Sequence, residues 1–321
     1  MDAVKDSLPG NYTATSDNGR VTSWAVKGIL AKVYLTMAGS PLNKGTSHYQ
    51  LAANKANEVI TSGNFSLFAN YSDLHSVAQE NKGEHIFQIQ YLVGVATNAM
   101  QDVLLPNFKG VSAYDTEIGS TVPTNQFYQS YEAGDKRAID RQGFFYTSYY
   151  NEGNGVLKNL AAPYIFKHFD VIAHGTAGVA GTGQSSLNWN QIRYAQVLLT
   201  YAEAQNEAGA GPNAAAWNAL SSIRTRAGLT TPLIGTYTQA TFREAVWRER
   251  WHELCYEGIT WFDMVRLKKA YKESTNGFEN FTGHIFPDNP NAVLADKHLL
   301  LPLPTAEMQN NPNLKPQNPG Y

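Results

Sequence analysis

Three glutamates in the C-terminal third of the chain have a spacing that could do chemistry. Glu249, Glu253 and Glu257 recur every four residues, which places their carboxylates on one face of a helix. Like charges at this spacing repel by about 0.2–0.5 kcal/mol per pair, so something must compensate. Either two of these carboxylates carry out general acid–base catalysis, or cations neutralise them in a structural network.

Arginines in the same segment favour the structural interpretation. Residues 241–269 also contain Arg243, Arg248, Arg250 and Arg266. A guanidinium group binds a carboxylate through two parallel hydrogen bonds, and it does so even where both groups are partly buried. No histidine or serine motif accompanies the acids. We therefore expect an arginine–carboxylate network beneath neighbouring helices.

The apolar side of this segment predicts one long amphipathic helix over residues 241–269. Trp247, Trp251 and Trp261 fall on one face, and each ring buries roughly 150–250 Å² when enclosed. Cys255, Ile259 and Phe262 widen this apolar face, so we expect them to be buried as well. Gly258 would cost about 1 kcal/mol relative to alanine in a helix interior, so we expect another backbone to approach closely there. Cys255 lies within the apolar face, which favours a buried, inert thiol over a nucleophile.

Composition narrows the classes of protein further. The 321 residues can form one large domain or two smaller ones, and a net charge of −2 does not favour nucleic acid or an anionic membrane as a partner. A single cysteine excludes an intrachain disulfide and a cysteine zinc site. The sequence has no apolar run of about 18 residues and no signal-peptide core near its start. The 18 tyrosines suit sugar stacking, but they also suit helical cores.

Familiar catalytic and cofactor motifs are missing from the sequence. It contains no HExxH zinc motif and no Gly-x-Ser-x-Gly elbow, and nothing in it indicates a metal or a cofactor. The glycine-rich residues 174–186 lack the Gly-Lys-Ser/Thr of a phosphate loop, so we expect a flexible surface loop. Glycoside hydrolysis by two carboxylates stays open, with exposed candidates at Asp102, Asp115, Glu117 and Asp288. A binding protein is favoured over an enzyme.

Two predicted helix pairs flank a segment rich in aromatic residues. The four helices are expected at residues 21–38, 48–61, 190–208 and 214–227. Each pair resembles a tetratricopeptide unit. The long C-terminal helix would follow them, with Thr241 as its N-cap.

The remaining segments predict short and irregular elements. The expected elements are strands over 84–91 and 143–150, a partner for the second strand at 164–170, a short helix over 124–132, an irregular loop over 272–298, an extended stretch over 299–304 and a helical turn capped by Thr305. The sequence therefore predicts a mainly α fold with a loop-rich region that contains short strands.

Several motifs, in one order along the chain, resemble the SusD/RagB family. The matching stretches are VTSWAVKGILAKVYLTMAG, SYEAGDKRAID, IRYAQVLLTYAEAQNEAG, ALSSIRTRAGL, ERWHELCYEGITWFDMVRL and LLLPLPTAEMQNNPNLKPQNPGY. The fifth stretch departs from the family pattern at His252, Cys255 and residues 259–260. Because the stretches span nearly the whole chain, the resemblance is specific.

The resemblance implies a cell-surface lipoprotein of a Bacteroidetes-type bacterium. Such proteins bind glycans and pass them to a SusC-like TonB-dependent outer-membrane transporter, without catalysis. The implied partners are that transporter and a glycan, with no nucleic acid, and the membrane is contacted only through a lipid anchor absent from this sequence. Family members are longer, so we expect Met1 to be an internal or engineered start, with part of the helical scaffold missing.

The implied organisation is one SusD-like domain over residues 1–321. Its parts would be a tetratricopeptide-like helix pair (20–62), a variable loop and strand region (63–187), tetratricopeptide-like helices with the signature helix (188–270) and a C-terminal extended segment (271–321). The family motifs belong to the scaffold, so they assign no ligand residues.

Ligand residues are predicted from chemistry alone, as exposed aromatic rings beside amides or carboxylates. The candidates are Tyr146, Tyr149, Tyr150, Asn151 and Asn154, then Tyr114 with Asp115, and Phe278 with Asn276 and Asp288. Each ring could instead fill the scaffold. The alternative functions are a tetratricopeptide-like protein–protein scaffold and a surface binder of a non-glycan nutrient.

Overall fold

The computed structural model describes residues 1–3, 5–104, 121–150, 156–170 and 185–321, and helices dominate it. The expected mainly α fold is confirmed. The helices are α1 (Ser23–Ala38), α2 (Thr46–Thr61), α3 (Gln101–Leu104), α4 (Asn125–Gln129), α5 (Tyr194–Ala208), α6 (Ala214–Arg226), α7 (Gln239–Glu253), α8 (Thr260–Leu267) and α9 (Thr305–Asn310). Short 3₁₀ turns connect several of them.

The main core lies between α1, α2, α5, α6 and α7. Small residues let these helices approach closely: Ala52, Ala53 and Ala56 of α2 are at most 1% exposed. A Cβ atom on Gly28 of α1 would lie 2.9 Å from Ile192 Cδ1, so glycine permits this contact. The two predicted helix pairs are thus present, with ends close to those expected.

Four small antiparallel sheets complete the fold of the described residues, and each contains two strands. The pairs are β1 (His85–Ile89) with β4 (Trp189–Arg193), β2 (Phe145–Tyr150) with β3 (Leu157–Ile165), β5 (Lys269–Lys272) with β6 (Gly277–Asn280), and β7 (Ile285–Phe286) with β8 (Asn289–Val293).

Two sequence predictions are wrong in this part of the chain. Residues 190–193 were expected to start a helix, but they form β4 because they pair with β1 from a distant segment. Residues 272–298 were expected to be irregular, yet they contain most of the β5–β8 strands. These strands have two to five residues each, too few for a clear alternating pattern.

The single long helix predicted over residues 241–269 is also wrong, because the chain breaks between α7 and α8. Tyr256 and Gly258 adopt φ values of +61° and +72°, which no α-helix contains. A Cβ on Gly258 would have no atom within 4 Å, so its glycine serves the backbone conformation and not a close approach. The N-cap is Thr238, whose side chain accepts from the Thr241 N–H group.

The C-terminal segment confirms most of the expected extended stretch and the helical turn, but the predicted cap is wrong, because Pro304 is the N-cap of α9 and Thr305 is its first residue. Residues 300–304 are non-helical and α9 begins at Thr305. Gln317 holds the segment together, since its side chain accepts from the N–H group of Leu303 and donates to the Leu303 carbonyl, each at 2.8 Å. Every helix among the described residues is too short or too polar to cross a bilayer.

Candidate functional site

The three evenly spaced glutamates form a buried ionic network, as predicted, but with other partners. Glu253 is fully buried at the end of α7. Its Oε1 lies 2.8 Å from Arg193 Nη1 and 2.6 Å from Arg226 Nη2, and its Oε2 lies 3.2 Å from Arg137 Nη1. Arg137 also donates to Glu249 at 2.6 Å. These arginines come from distant segments, not from residues 241–269.

Three of the predicted arginines bind other acids, while Arg248 forms no ion pair among the described residues. Arg243 pairs with Glu207, and Arg266 pairs with Glu203 at 2.6 Å and with Asp263 at 2.7 Å. Arg243 and Arg250 lie on α7 with Glu249 and Glu253 but project from other faces of that helix, whereas Arg266 lies beyond the break on α8.

A lysine from another segment supports the broken backbone between α7 and α8. Lys167 Nζ donates to the carbonyl oxygens of Glu253 at 2.7 Å and of Cys255 at 2.9 Å, and it pairs with Glu257. The last carbonyls of a helix have no partner within the helix, and burial would leave them unsatisfied. Lys167 satisfies two carbonyls at this point, so it stabilises the non-helical backbone between α7 and α8.

The surrounding cations keep the buried carboxylates of the network ionised, as in a structural ion-pair network. Burial alone would raise the pKa of Glu253, but the cations of Arg226, Arg193, Arg137 and Lys167 lower it to about 2. Burial would likewise raise the pKa of Glu257, but the cations of Arg193 and Lys167 lower it to about 2. Both carboxylates are ionised, enclosed and engaged with cations, so neither presents a free proton-transfer group to a substrate.

Ion pairs on one side of α8 orient its other side toward solvent. Asp263 accepts from Arg250 Nη2 at 2.9 Å and from Arg266 Nε at 2.7 Å. Arg266 in turn binds Glu203 of α5. This anchoring fixes the rotation of the short helix. As a result Phe262 is 59% exposed, although a phenylalanine in this core-facing segment was expected to be buried.

The break and α8 form one wall of an aromatic cleft of about 480 Å³. Its lining residues are Val122, Pro123, Thr124, Phe127, Trp251, Cys255, Tyr256, Gly258, Ile259, Thr260, Trp261, Phe262 and Glu273. We call this the aromatic cleft. Its volume lies in the range of ligand-binding pockets, roughly 300–1,000 Å³. Its walls are mainly aromatic and apolar, with a few polar groups at the edge.

The rings of the aromatic cleft are held by neighbouring aromatic residues. Trp251 stacks on Tyr271 with centroids 5.3 Å apart. Trp261 meets Phe281 edge to face at 5.8 Å. Such pairs contribute about 0.5–1.5 kcal/mol beyond buried area and restrain ring orientation. The cleft is therefore preformed on rigid elements.

A second cleft of about 380 Å³ adjoins the first and shares Glu273 with it. Its lining residues are Gln126, Lys272, Glu273, Ser274, Glu279, Gly283, His284, Ile285 and Pro287. We call this the polar cleft. Lys272 and His284 both pair with Glu279, at 2.7 and 2.9 Å, and they lower its pKa. Burial raises the pKa of Glu273.

Two of the predicted platform tyrosines lie inside the protein. Tyr146 and Tyr149 are 0% exposed and belong to a cluster with Tyr164, Phe166 and Phe169. Tyr146 stacks on Tyr164 at 5.6 Å, and its hydroxyl donates to the Leu104 carbonyl at 2.6 Å. The expectation that these two rings are exposed is therefore wrong. A β-bulge between Tyr146 and Ser148 brings both rings to one side of the strand, where Phe166 and Phe169 of the segment after β3 pack against them.

The other predicted residues divide into two groups. Phe278 is half-buried between Trp247, Trp251 and Tyr271, while Asp288 is exposed beyond the polar cleft. Asn276 accepts from the Tyr271 hydroxyl. Outside the described residues, or without a described side chain, lie Tyr114, Asp115, Tyr150, Asn151 and Asn154, together with the carboxylates of Asp102 and Glu117 and residues 174–184 of the loop predicted over 174–186.

The aromatic cleft was missed because its rings were assigned to one buried helix face. Trp261 and Phe262 were read as core residues of a continuous helix, and the break at Gly258 changes their direction. A Gly followed closely by adjacent Trp and Phe was the sequence signal that could have revealed the cleft.

Cys255 is buried as expected, and burial raises the pKa of its thiol. In the described part of the chain, no three His, Cys, Asp or Glu side chains cluster to hold a metal ion.

Comparison with known proteins links the whole chain to one family. Residues 121–321 match the model of the SusD family. "SusD-like protein P2" of Formosa agariphila is 31% identical over 99% of this chain and 63% of its own length. A SusD superfamily protein of Parabacteroides distasonis has 39% identity and a TM-score of 0.88, over 98% of this chain and 65% of that one.

A more distant solved structure supports the fold alone. Surface glycan-binding protein A from Bacteroides uniformis has 22% identity and a TM-score of 0.74, over 99% of this chain and 66% of that chain. The chain spans just under two thirds of the length of each of these relatives.

Proposed function

Because the chain belongs to the SusD family, we propose that it binds glycans at the cell surface and delivers them to a SusC-like TonB-dependent outer-membrane transporter. The whole protein would be held at the outer membrane by a lipid anchor, and it would act without catalysis. The name of the Bacteroides uniformis structure, a surface glycan-binding protein, supports the ligand class.

The exposed aromatic surface of the aromatic cleft carries this proposal. Sugar rings have apolar C–H faces, and Phe262 offers a ring that is 59% exposed beside the half-buried Trp261. An aromatic ring binds such a face with little loss of conformational entropy, since it has only two rotatable side-chain bonds. The cleft thus supplies the platform expected of a glycan site, on residues other than those predicted.

The adjoining polar cleft supplies partners for hydroxyl groups. Gln126 and Ser274 are exposed, and no hydrogen bond of their side chains joins another described residue. Glu273 lies between the two clefts, so a sugar stacked in the first can reach it. Lys272 and Glu279 already neutralise each other. An uncharged oligosaccharide fits this arrangement better than an acidic one.

Affinity electrophoresis against a panel of soluble polysaccharides tests the proposal. At least one glycan should retard the chain, and Phe262→Ala should weaken that retardation about tenfold, which corresponds to roughly 1.4 kcal/mol of lost stacking. Leu233→Ala is the matched control, because Leu233 is 75% exposed and lies outside both clefts. Its retardation should equal that of the unmodified chain.

Two outcomes contradict the proposal at different levels. Equal retardation of Phe262→Ala and the unmodified chain would show that the glycan binds outside the aromatic cleft. If no glycan retards the chain, the same panel on a protein of full family length decides whether glycan binding itself is wrong. Delivery is tested separately, by isolating the lipid-anchored protein from outer membranes and asking whether a TonB-dependent barrel accompanies it.

A further inference from the structure

A polar pocket lies far from both clefts in the sequence, between the segment that precedes α1 and strand β1. Its volume is about 210 Å³. Its lining residues are Asn11, Tyr12, Asp17, Asn18, Gly19, Arg20, Thr22, Asn81, His85, Ile86, Phe87 and Gln88. It shares no residue with the aromatic or the polar cleft. We call it the N-terminal pocket.

The N-terminal pocket has a buried wall with unused hydrogen-bonding capacity. Gln88 is 2% exposed, and its side-chain oxygen accepts from the Asn81 N–H group at 2.7 Å. Among the described residues, nothing accepts a hydrogen bond from the Gln88 amide nitrogen. Nε2 of His85, which also lines the pocket, is buried and has no hydrogen-bond partner among the described residues. A buried polar atom without a partner costs about 1–3 kcal/mol, so a ligand hydroxyl that bonds to it gains binding energy. On the rim, the side chains of Asn11 and Asn18 are exposed.

The walls of this pocket hold their shape without a ligand. The Tyr12 hydroxyl donates to the Val21 carbonyl at 3.2 Å. Gly19 has a φ of +83°, and a Cβ there would overlap the Gln90 side chain at 2.4 Å. Gln90 itself is fixed by two hydrogen bonds to Asn81, at 2.8 and 3.0 Å. The turn at Gly19 and the paired amides of Gln90 and Asn81 therefore define the mouth of the pocket.

The pairing of charges in the pocket favours an uncharged ligand. Asp17 and Arg20 pair with each other at 3.2 Å, so neither leaves an unpaired charge. His85 is buried, donates from Nδ1 to Asn190 Oδ1 at 2.7 Å, and has a pKa lowered chiefly by burial, which keeps it neutral near pH 7. The remaining polar side chains are amides, the Thr22 hydroxyl and a phenol. These both donate and accept, as sugar hydroxyls do.

From this geometry we infer that the N-terminal pocket is a second binding site, for one uncharged sugar ring. Tyr12 and Phe87, both half-buried, provide the apolar surface. The volume of about 210 Å³ falls below the roughly 300–1,000 Å³ of drug-sized ligands, so it suits a single ring and not an extended chain. Binding of a sugar in the N-terminal pocket does not depend on binding in the aromatic cleft.

Saturation-transfer NMR with individual uncharged monosaccharides tests this inference. The probes are glucose, galactose, mannose, fucose and N-acetylglucosamine at millimolar concentration. At least one should receive saturation, and Asn18→Ala should reduce that signal at least threefold. Asn57→Ala is the matched control, since Asn57 is an exposed amide on α2. The same monosaccharide should shift the side-chain amide resonance of Gln88.

The variants distinguish this site from the proposed glycan site. Phe262→Ala should leave the monosaccharide signal unchanged, whereas Gln88→Glu, which keeps the acceptor for Asn81 and removes the amide donor, should reduce it. The inference is overturned if no monosaccharide receives saturation. It is also overturned if Asn18→Ala behaves like Asn57→Ala, or if Phe262→Ala removes the signal.

Discussion

Arg193 Nη1 lies 2.8 Å from Glu253 Oε1, and both side chains are at most 1% exposed. Arg193 ends β4 and Glu253 ends α7, so this pair joins a strand to a helix that lies 60 residues further along the chain. The same Nη1 lies 2.6 Å from Glu84 Oε1, next to β1. One guanidinium group thus ties together the sheet and the helix that leads into the aromatic cleft.

Removing the central carboxylate should strongly destabilise the protein. Glu253→Ala removes the one carboxylate that Arg193, Arg226 and Arg137 all share, and it leaves excess positive charge in a buried site. Breaking a buried ion pair from one side typically costs about 3–5 kcal/mol. We expect a loss of that size in the free energy of unfolding, measured by urea denaturation. Glu244→Ala, an exposed acid on the same helix, should change it by less than about 0.5 kcal/mol.

Acid should destabilise the protein in two steps. Burial lowers the pKa of His75 and His168 from 6.5 to about 4, so the unfolded chain binds these protons first and stability falls from about pH 6.5 toward pH 4. The pKa values of Glu253 and Glu257, about 2 against an ordinary 4.5, add a second loss from about pH 4.5 toward pH 2.

Thermal unfolding between pH 7 and pH 2.5 measures both steps. The melting temperature should fall throughout this range. A Glu253→Gln variant should show a shallower fall below pH 4.5, because one titrating carboxylate is gone. A melting temperature that stays constant or rises between pH 6.5 and pH 4 would contradict the assignment of the first step to buried neutral histidines.

The break between α7 and α8 should depend on glycine at one position. Gly258 has a φ of +72°, which costs an L-residue about 1–2 kcal/mol even though the space for a Cβ is open. Gly258→Ala should therefore lower the free energy of unfolding by that amount. Gly235→Ala serves as the control, because its site is equally open and its φ is not positive, so its stability should be unchanged or slightly higher.

The single thiol should be unreactive in the folded protein. Cys255 is 4% exposed, burial raises its pKa, and its Sγ donates to the His252 carbonyl at 3.3 Å. A chromogenic disulfide reagent should label it slowly in buffer and at once in 6 M urea, since thiolate content and access both control the rate. Rapid labelling of the native protein would mean that the base of the aromatic cleft opens readily.

Local patterns predicted the elements whose partners lie nearby. The helices α1, α2 and α6 follow from apolar spacing and breakers, because helical hydrogen bonds join residues four apart. The strands β5 to β8 escaped prediction because they are short and are stabilised by pairing. The start of α5 was misplaced for the same reason, since residues 190–193 are extended only through their contacts with β1.

The sequence by itself determined the family, the mainly α class and the need for cations around Glu249, Glu253 and Glu257. The tertiary structure decided which cations these are, because Arg137 lies 116 residues from Glu253 and no local spacing encodes that distance. It also decided which aromatic rings are exposed. Tyr149 packs against Phe169 of a later segment, whereas Phe262 is turned outward by the break and by the ion pairs that anchor α8, and both outcomes depend on contacts between distant segments.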